Sequence, residues 1–240
     1  MLNNRFLTAG ALLLLSALLL FNSCDLAAIR GNGDLVKENR DEKDFNGIDA
    51  FISGKVVLHQ GSSFKIEVQV EENLLPYLKT EVEAGKLNIY FSHSVRDVDN
   101  LVVTVTMPEL TSVELSGSAD LVANDAFAGQ LIDMNVSGSG RIQMNHLDYN
   151  KVSVDVSGSG HIDLGGEAIV LDASVSGSGQ VDALDCPVKN AEANISGSGL
   201  VKLYVTDRLN AEISGSGDIL YAGNPVVDAD ISGSGSVRKI

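Results

Sequence analysis

The residue with the most specific chemistry in this sequence is Cys24, which directly follows Ser23 at the end of an apolar segment. Residues 6–21 are rich in Leu and Ala and are preceded by Arg5, the arrangement of a secretory signal peptide. A small residue followed at once by cysteine is the pattern of bacterial lipoprotein processing, in which acyl chains on the thiol anchor the chain. We therefore predict a signal peptide over residues 1–23 and lipid attachment at Cys24. The alternative is ordinary secretion with Cys24 as a free thiol.

Carboxylates recur at two fixed positions of a repeat described below, and stacked carboxylates could bind Ca²⁺, which takes six to eight oxygen ligands. Asn and Ser interrupt both series, however, which is typical of relief of like-charge repulsion on a solvated surface. We predict a solvated acidic face and no metal site, with a weak cation site as the alternative. One series is Glu114, Asp155, Glu212 and Asp230, and the other is Asp133, Asp172, Glu192 and Asp228.

No residue pattern indicates catalysis. Cys186 precedes Pro187 without a His or an acid nearby in the repeat, so we expect a buried or half-buried thiol rather than a nucleophile. The four histidines lack metal-ligand spacing. Sugar-cleaving enzymes need a walled cleft with paired acids, for which short coils leave little room. The sequence therefore predicts no enzyme, no catalytic residues and no cofactor. Three tyrosines that could stack on sugars share no repeat position, namely Tyr149, Tyr204 and Tyr221.

The elements that position these residues are encoded by a repeat. The tetrad Ser-Gly-Ser-Gly occurs six times, and a seventh, degenerate copy ends in Ala119. Successive copies begin 18 to 21 residues apart, a period that indicates a solenoid. Apolar and polar residues alternate on both sides of each tetrad, as in a strand with one buried face. An aliphatic residue before each tetrad lies six positions from one after it, as in Val156 and Ile162.

These regularities predict an all-β fold: a right-handed, single-stranded parallel β-helix with coils of about 18–21 residues, the handedness being the usual one for parallel crossovers. The tetrads are predicted to be structural corners, because glycine accepts sharp turns and serine hydroxyls could satisfy backbone groups there. A phosphate-binding role would require a helix after the glycines, whereas a strand follows. The predicted corner residues are Ser137, Gly138, Ser157, Gly158, Ser176, Gly177, Ser196, Gly197, Ser214, Gly215, Ser232 and Gly233.

The sequence divides into four parts. After the signal peptide, residues 24–44 are polar and charged and are predicted to be a lipidated tether or an edge strand. Residues 45–112 form a less regular β region, either as decorated coils or as a small β-domain that caps the solenoid. Within it, residues 45–58 read as a worn copy of the repeat, and Ser53 precedes Ser116 by about three coil lengths. Residues 113–240 are the β-helix repeats, and 45–240 are expected to form one continuous domain.

The formal net charge of −15 argues against nucleic acid and anionic lipid headgroups as partners. It is compatible with a glycan or a protein ligand, and the membrane is expected as a partner through the lipid anchor. The regular face and the open end of the solenoid also suggest pairing between copies in a homo-oligomer.

Four short motifs and the tetrad run together resemble the head GIN domain family of autotransporter adhesins. The motifs are Phe-Asn-Gly-Ile at 45–48, Glu-Asn-Leu-Leu at 72–75, Gly-Lys-Leu at 85–87 and Met-Pro-Glu-Leu at 107–110. The resemblance covers about residues 30–240 and implies an exported β-helical domain common among lipoproteins of Bacteroidetes-type bacteria. It supplies no catalytic residues.

The resulting expectation is a non-enzymatic cell-envelope lipoprotein that serves as a structural or adhesin-like binding module. It would be anchored in the outer membrane and face the periplasm or the cell surface. Two alternatives stay open: a periplasmic module that binds a ligand or senses the envelope, and, more distantly, a glycan-active β-helix enzyme.

Overall fold

The computed structural model describes residues 28–240, in which strands, turns and loops make up the whole structure. No helix long and apolar enough to span a bilayer occurs in this part of the chain. The predicted signal peptide and Cys24 lie outside the described residues. Strands β1 (Ile29–Arg30) and β8 (Val95–Arg96) form a small parallel pair, and the other 17 strands join in one continuous sheet.

The repeat region forms the predicted β-solenoid of stacked parallel coils. Strands β13 (Arg141–Gly158), β14 (His161–Gly177) and β15 (Gln180–Gly197) are 18, 17 and 18 residues long, so each covers almost a whole coil. Equivalent residues of successive coils are direct partners, as Val136, Val156 and Val175 show. The strands of this region are β10 (Ser112–Gly117), β11 (Asp120–Ala123), β12 (Phe127–Gly138), β13 (Arg141–Gly158), β14 (His161–Gly177), β15 (Gln180–Gly197), β16 (Leu200–Gly215), β17 (Asp218–Gly223), β18 (Val226–Gly233) and β19 (Ser236–Lys239).

The solenoid interior consists of aliphatic columns, because every second residue of a strand points inward. Val156 and Ile162, on either side of one tetrad, are both buried. Burial of one such side chain stabilises the fold by roughly 1.5–3 kcal/mol, so the columns supply much of the driving force for folding.

Each tetrad turns the chain between two strands, and its two glycines are required for different reasons. Gly158 has φ of 113°, and a Cβ there would lie 2.7 Å from the carbonyl oxygen of Gly138 in the preceding coil. Gly160 is buried, and a Cβ there would overlap the side chain of Val136. The predicted corner glycines Gly138, Gly158, Gly177, Gly197, Gly215 and Gly233 all have φ between 113° and 132°.

The backbone of each tetrad is hydrogen-bonded to the tetrad of the preceding coil. The N–H of Ser159 donates to the carbonyl of Gly138 at 2.9 Å, and the N–H of Ser178 donates to that of Gly158 at 2.8 Å. Backbone hydrogen bonding between coils thus extends into the corner, and the role of the serine hydroxyls stays a prediction. The first serines of the complete tetrads are exposed on the surface: Ser137, Ser157, Ser176, Ser196, Ser214 and Ser232.

The worn copy of the repeat is a coil of the solenoid, but its place in the stack differs from the expectation. Strand β3 (Gly47–Phe51) pairs with β10, and β4 (Lys55–Gln60) pairs with β11, both in parallel. The coil of Ser53 is therefore the direct neighbour of the coil of Ser116. The spacing of 63 residues does not represent three stacked coil lengths, because the chain leaves the stack in between.

The intervening residues form one more rung and a cap. Strands β7 (Lys86–Phe91) and β9 (Val102–Met107) lie beneath β3 and β4 in parallel. Three strands then pair antiparallel with this end of the stack, namely β2 (Leu35–Arg40), β5 (Lys65–Glu71) and β6 (Leu78–Glu83). Part of the predicted tether is thus strand β2. Its sequence Leu-Val-Lys-Glu-Asn-Arg exposes charged side chains, which discourages further strand addition at this edge.

Candidate functional site

The outward residues before the tetrads form a polar surface that runs along the solenoid, here called the acidic face. The register between coils places these residues in two columns, with the strand partners in the order given. The first column is Asn88, Asp49, Glu114, Asn135, Asp155, Ser174, Asn194, Glu212 and Asp230. The second is Ser112, Asp133, Ser153, Asp172, Glu192, Asn210 and Asp228. The structure thus brings together all eight carboxylates that the repeat pattern placed in two series.

Basic side chains pair with two carboxylates of the acidic face, each of which has another carboxylate as its strand partner. The Nζ of Lys86 lies 3.2 Å from Glu114, and the Nζ of Lys151 lies 2.6 Å from Asp172. The hydrogen bond from Lys151 to Asp172 raises the pKa of this lysine. Within residues 28–240, no three His, Cys, Asp or Glu side chains are placed to hold a metal ion. The face is therefore suited to hydrogen bonding with a polar or basic partner.

Asp49 is the one residue of the acidic face that is almost fully buried, with 9% of its surface exposed. Its register partner Glu114 carries a second carboxylate, and its own Oδ1 is buried without a hydrogen-bond partner. Burial, followed by the charge of Glu114, raises the pKa of Asp49 from 3.8 to about 6, although Lys86 opposes the change. Asp49 does not line the recess around Glu114, so a substrate bound in that recess could not exchange a proton with it directly.

Several recesses border the acidic face, and two of them combine its carboxylates with other polar groups. The larger, of about 930 Å³, contains Lys86, Glu114 and Asp133 among its lining residues and is here called the Glu114 cleft. Tyr149 supports it from below by donating a hydrogen bond to the carbonyl of Leu110 at 2.7 Å. The smaller, of about 320 Å³, is here called the serine groove. One side of the groove is formed by Asp155, Ser174, Asn194 and Glu212, and the other by the first tetrad serines Ser157, Ser176, Ser196 and Ser214.

The remaining candidate residues lie apart from one another. The Nδ1 of His59 lies 3.1 Å from Asp125, and the Nε2 of His161 lies 2.6 Å from Asp163, so each pairs with a single local carboxylate. Cys186 is buried, and burial together with the charge of Glu167 raises the pKa of its thiol to about 12. A thiol that stays protonated at neutral pH is a poor nucleophile.

The sequence analysis missed an aromatic cluster at the capped end of the acidic face. Phe51 is the direct strand partner of Tyr90, and 48% of its surface is exposed. Phe91 lies beside them and lines the same recess. The unusual position of Phe51 could have been found in the sequence, because Phe51 aligns with the first tetrad serine of the next coil. The contribution of Tyr90 was hidden, because its rung follows β3 in sequence but lies beneath β3 in the stack.

Comparison with solved structures identifies close matches in fold. A crystal structure from Bacteroides fragilis, described as a putative adhesin, superimposes with a TM-score of 0.84 at 23% identity, covering 89% of this chain and 100% of that chain. One from Parabacteroides distasonis, described as a putative lipid binding protein, gives 0.75 at 27% identity, covering 89% and 99%. One from Parabacteroides merdae, described as a putative adhesin, gives 0.70 at 26% identity, covering 89% and 99%.

A search of curated proteins found no match. Residues 44–225, however, match the family described as "Putative auto-transporter adhesin, head GIN domain". The matched segment includes the coil of β3 and β4, the cap strands β5 and β6, and all but the last of the tetrads. The match confirms the resemblance found in the sequence, and the chain belongs to the head GIN domain family.

Proposed function

We propose that the protein is a non-enzymatic, adhesin-like binding module of the cell envelope and that the acidic face is its contact surface. The observation that carries this proposal is the continuity of the face. Its carboxylates, amides and hydroxyls repeat coil after coil on a scaffold whose backbone is hydrogen-bonded through every corner. Such a surface can contact an extended partner at many points without changing shape, which limits the ordering cost of binding.

The proposed partners follow from the charge and the chemistry of this face. Carboxylates accept hydrogen bonds from hydroxyl and ammonium groups, so a glycan or a basic protein surface suits the face. A net charge of −15 disfavours nucleic acid.

We also propose that copies of the chain pair through the coil of β18 and β19, where Val226 and Ile231 are exposed.

Anchoring is proposed through Cys24, with acyl chains holding the protein in the outer membrane. The chain between Cys24 and β2 would then set the distance of the solenoid from the bilayer. Family membership supports export to the envelope, whereas the lipid and the membrane rest on the sequence around Cys24.

A periplasmic module that binds a ligand or senses the envelope is the second candidate. The observation in its favour is that Asp25-Leu26-Ala27-Ala28 lacks a run of acidic residues directly after Cys24, a feature of some surface-export signals. The Glu114 cleft would then be the ligand site. A glycan-active enzyme is a weaker candidate, because the most perturbed carboxyl, Asp49, is closed off from the cleft.

The deciding experiment is protease treatment of intact cells, with Cys24→Ala as the control for anchoring. Cleavage of the wild-type protein from outside would support surface display and the adhesin-like function. Protection of the wild type, with release of Cys24→Ala into the soluble periplasmic fraction, would refute the adhesin-like function and favour the periplasmic alternative.

A further inference from the structure

The aromatic cluster at the capped end of the acidic face departs from the pattern of the repeat. Phe51 takes the position that serine holds in the next coil. Phe51 presents 48% of its surface to solvent. Its strand partner Tyr90 and the adjacent Phe91 are half-buried, and all three residues line one recess. We call Phe51, Tyr90 and Phe91 the aromatic platform.

The platform is held in place by its neighbours. Phe91 packs against the core, and the hydroxyl of Tyr90 donates a hydrogen bond to Glu81 at 3.0 Å. Phe51 and Tyr90 lie on paired strands of neighbouring coils, about 5 Å apart along the stack. The rings are therefore presented by the rigid sheet rather than by a flexible loop.

Two open recesses meet at Phe51, and both surround it with hydrogen-bonding groups. One, of about 460 Å³, is lined by the carboxylates of Glu81 and Glu83 and the amide of Asn88. The other, of about 780 Å³, is lined by residues of the segment 92–98 and by Ser116 of the next coil. Its lining residues include Ser94 and Arg96, whose side chains can form hydrogen bonds.

We propose that the aromatic platform is a saccharide-binding subsite that takes one pyranose unit of an uncharged glycan; this deepens the proposed function and rests on it. The apolar C–H face of a pyranose ring fits against an aromatic face, while its hydroxyl groups need donors and acceptors around the rim. Carboxylates at 81 and 83 accept from hydroxyl pairs, and Arg96 donates to ring or hydroxyl oxygens.

The charge of the site selects among glycans. Glu81 and Glu83 border the platform on one side, and the acidic face with Asp49 and Glu114 begins at its edge. A glycan with carboxylate or sulfate groups would be repelled there, whereas an uncharged one would not. The exposed first tetrad serines continue from Phe51 along the stack, so further sugar units can contact hydroxyl groups beyond the first ring.

The test uses the full chain carrying Cys24→Ala, so that it can be handled without detergent. Uncharged hexasaccharides of glucose, mannose, galactose and N-acetylglucosamine are titrated by calorimetry and by saturation-transfer NMR. We expect at least one to bind. Phe51→Ser should weaken that binding by about tenfold or more, since it removes the stacking ring. This variant places serine where the later coils already have it, so the coil should fold. Phe51→Tyr should retain binding.

Ile169→Ser is the matched control, because Ile169 is an apolar side chain of β14 that is 43% exposed and lies away from the aromatic platform. It should leave the affinity unchanged. Absence of binding to all four hexasaccharides would overturn the proposal, as would binding to phosphatidylcholine vesicles alone or equal binding by wild type and Phe51→Ser. Because this measurement is independent of location, a periplasmic protein that still binds sugar would refute only the adhesin-like function.

Discussion

Asp49 should make the stability of the solenoid depend on pH in a direction opposite to that of most carboxylates. Its folded-state pKa of about 6 lies above the ordinary value of 3.8, so the folded protein holds this proton more tightly than the unfolded chain. Between these two values the folded state binds more protons than the unfolded state, and stability therefore falls as the pH rises. The loss is complete about one pH unit above the folded-state pKa, where Asp49 is ionised in both states.

The magnitude follows from the shift and from the position of the group. A change of about two pKa units corresponds to about 3 kcal/mol for a group sheltered from solvent. Asp49 lies under a surface that water reaches, so we expect about 1–2 kcal/mol to be measured. Asp49→Asn removes the charge and keeps the shape, and should stabilise the protein by that amount at pH 7.5. This corresponds to a rise of roughly 2–8 °C in Tm for a domain of this size.

The assay is thermal or urea unfolding of wild type and Asp49→Asn at pH 4 and pH 7.5, followed by circular dichroism. At pH 4 the difference should shrink to a small fraction of its value at pH 7.5, because Asp49 is then largely protonated in the folded state. Asp155→Asn is the matched control. It removes an exposed carboxylate of the same column whose coil partners are the neutral Asn135 and Ser174, and should change stability by less than about 0.5 kcal/mol. Equal effects of Asp49→Asn at both pH values would refute the reasoning.

Three other variants or reagents test the packing. Val156→Asp should abolish cooperative unfolding by placing a charge in an interior column, and an unchanged melting curve would contradict the assigned columns. Gly158→Ala should cost about 2 kcal/mol or more in urea unfolding, because its φ and the carbonyl above it exclude a Cβ; Ser159→Ala, at an exposed position, should be nearly neutral. Cys186 should react with a thiol reagent such as dithionitrobenzoate at pH 8 only after unfolding, and rapid reaction of the native protein would show that the thiol is accessible.

The solenoid was predictable because its cause is local and repeated. Each copy of the tetrad combines a glycine that accepts positive φ with aliphatic residues at constant offsets, so all seven copies favour the same local structure. The positions of N-terminal strands such as β5 and β7 also agree with the local alternation of apolar and polar residues. No local pattern shows the order of the coils, because the chain forms the coil of β3 and β4, leaves the stack, and returns to it at β10.

The candidate site was predictable to the same extent. The two columns of the acidic face follow from the repeat, and the structure places their eight carboxylates as the offsets require. The state of Asp49 does not follow, because it depends on which coil lies above it. Glu114 is 65 residues away in sequence, and only the pairing of β3 with β10 makes the two carboxylates neighbours.

The departure of residues 45–112 from the regular repeat explains both the cap and the aromatic platform. A solenoid made only of tetrad coils would expose an aliphatic core and a strand edge at this end, and would present serine rather than an aromatic ring at each first corner position. The insertion between β4 and β10 closes the core with antiparallel strands. The same insertion places the rung of β7 beneath β3, which sets Tyr90 beside Phe51. The regular coils thus provide a long polar face, whereas the irregular coil adds aromatic side chains at its capped end.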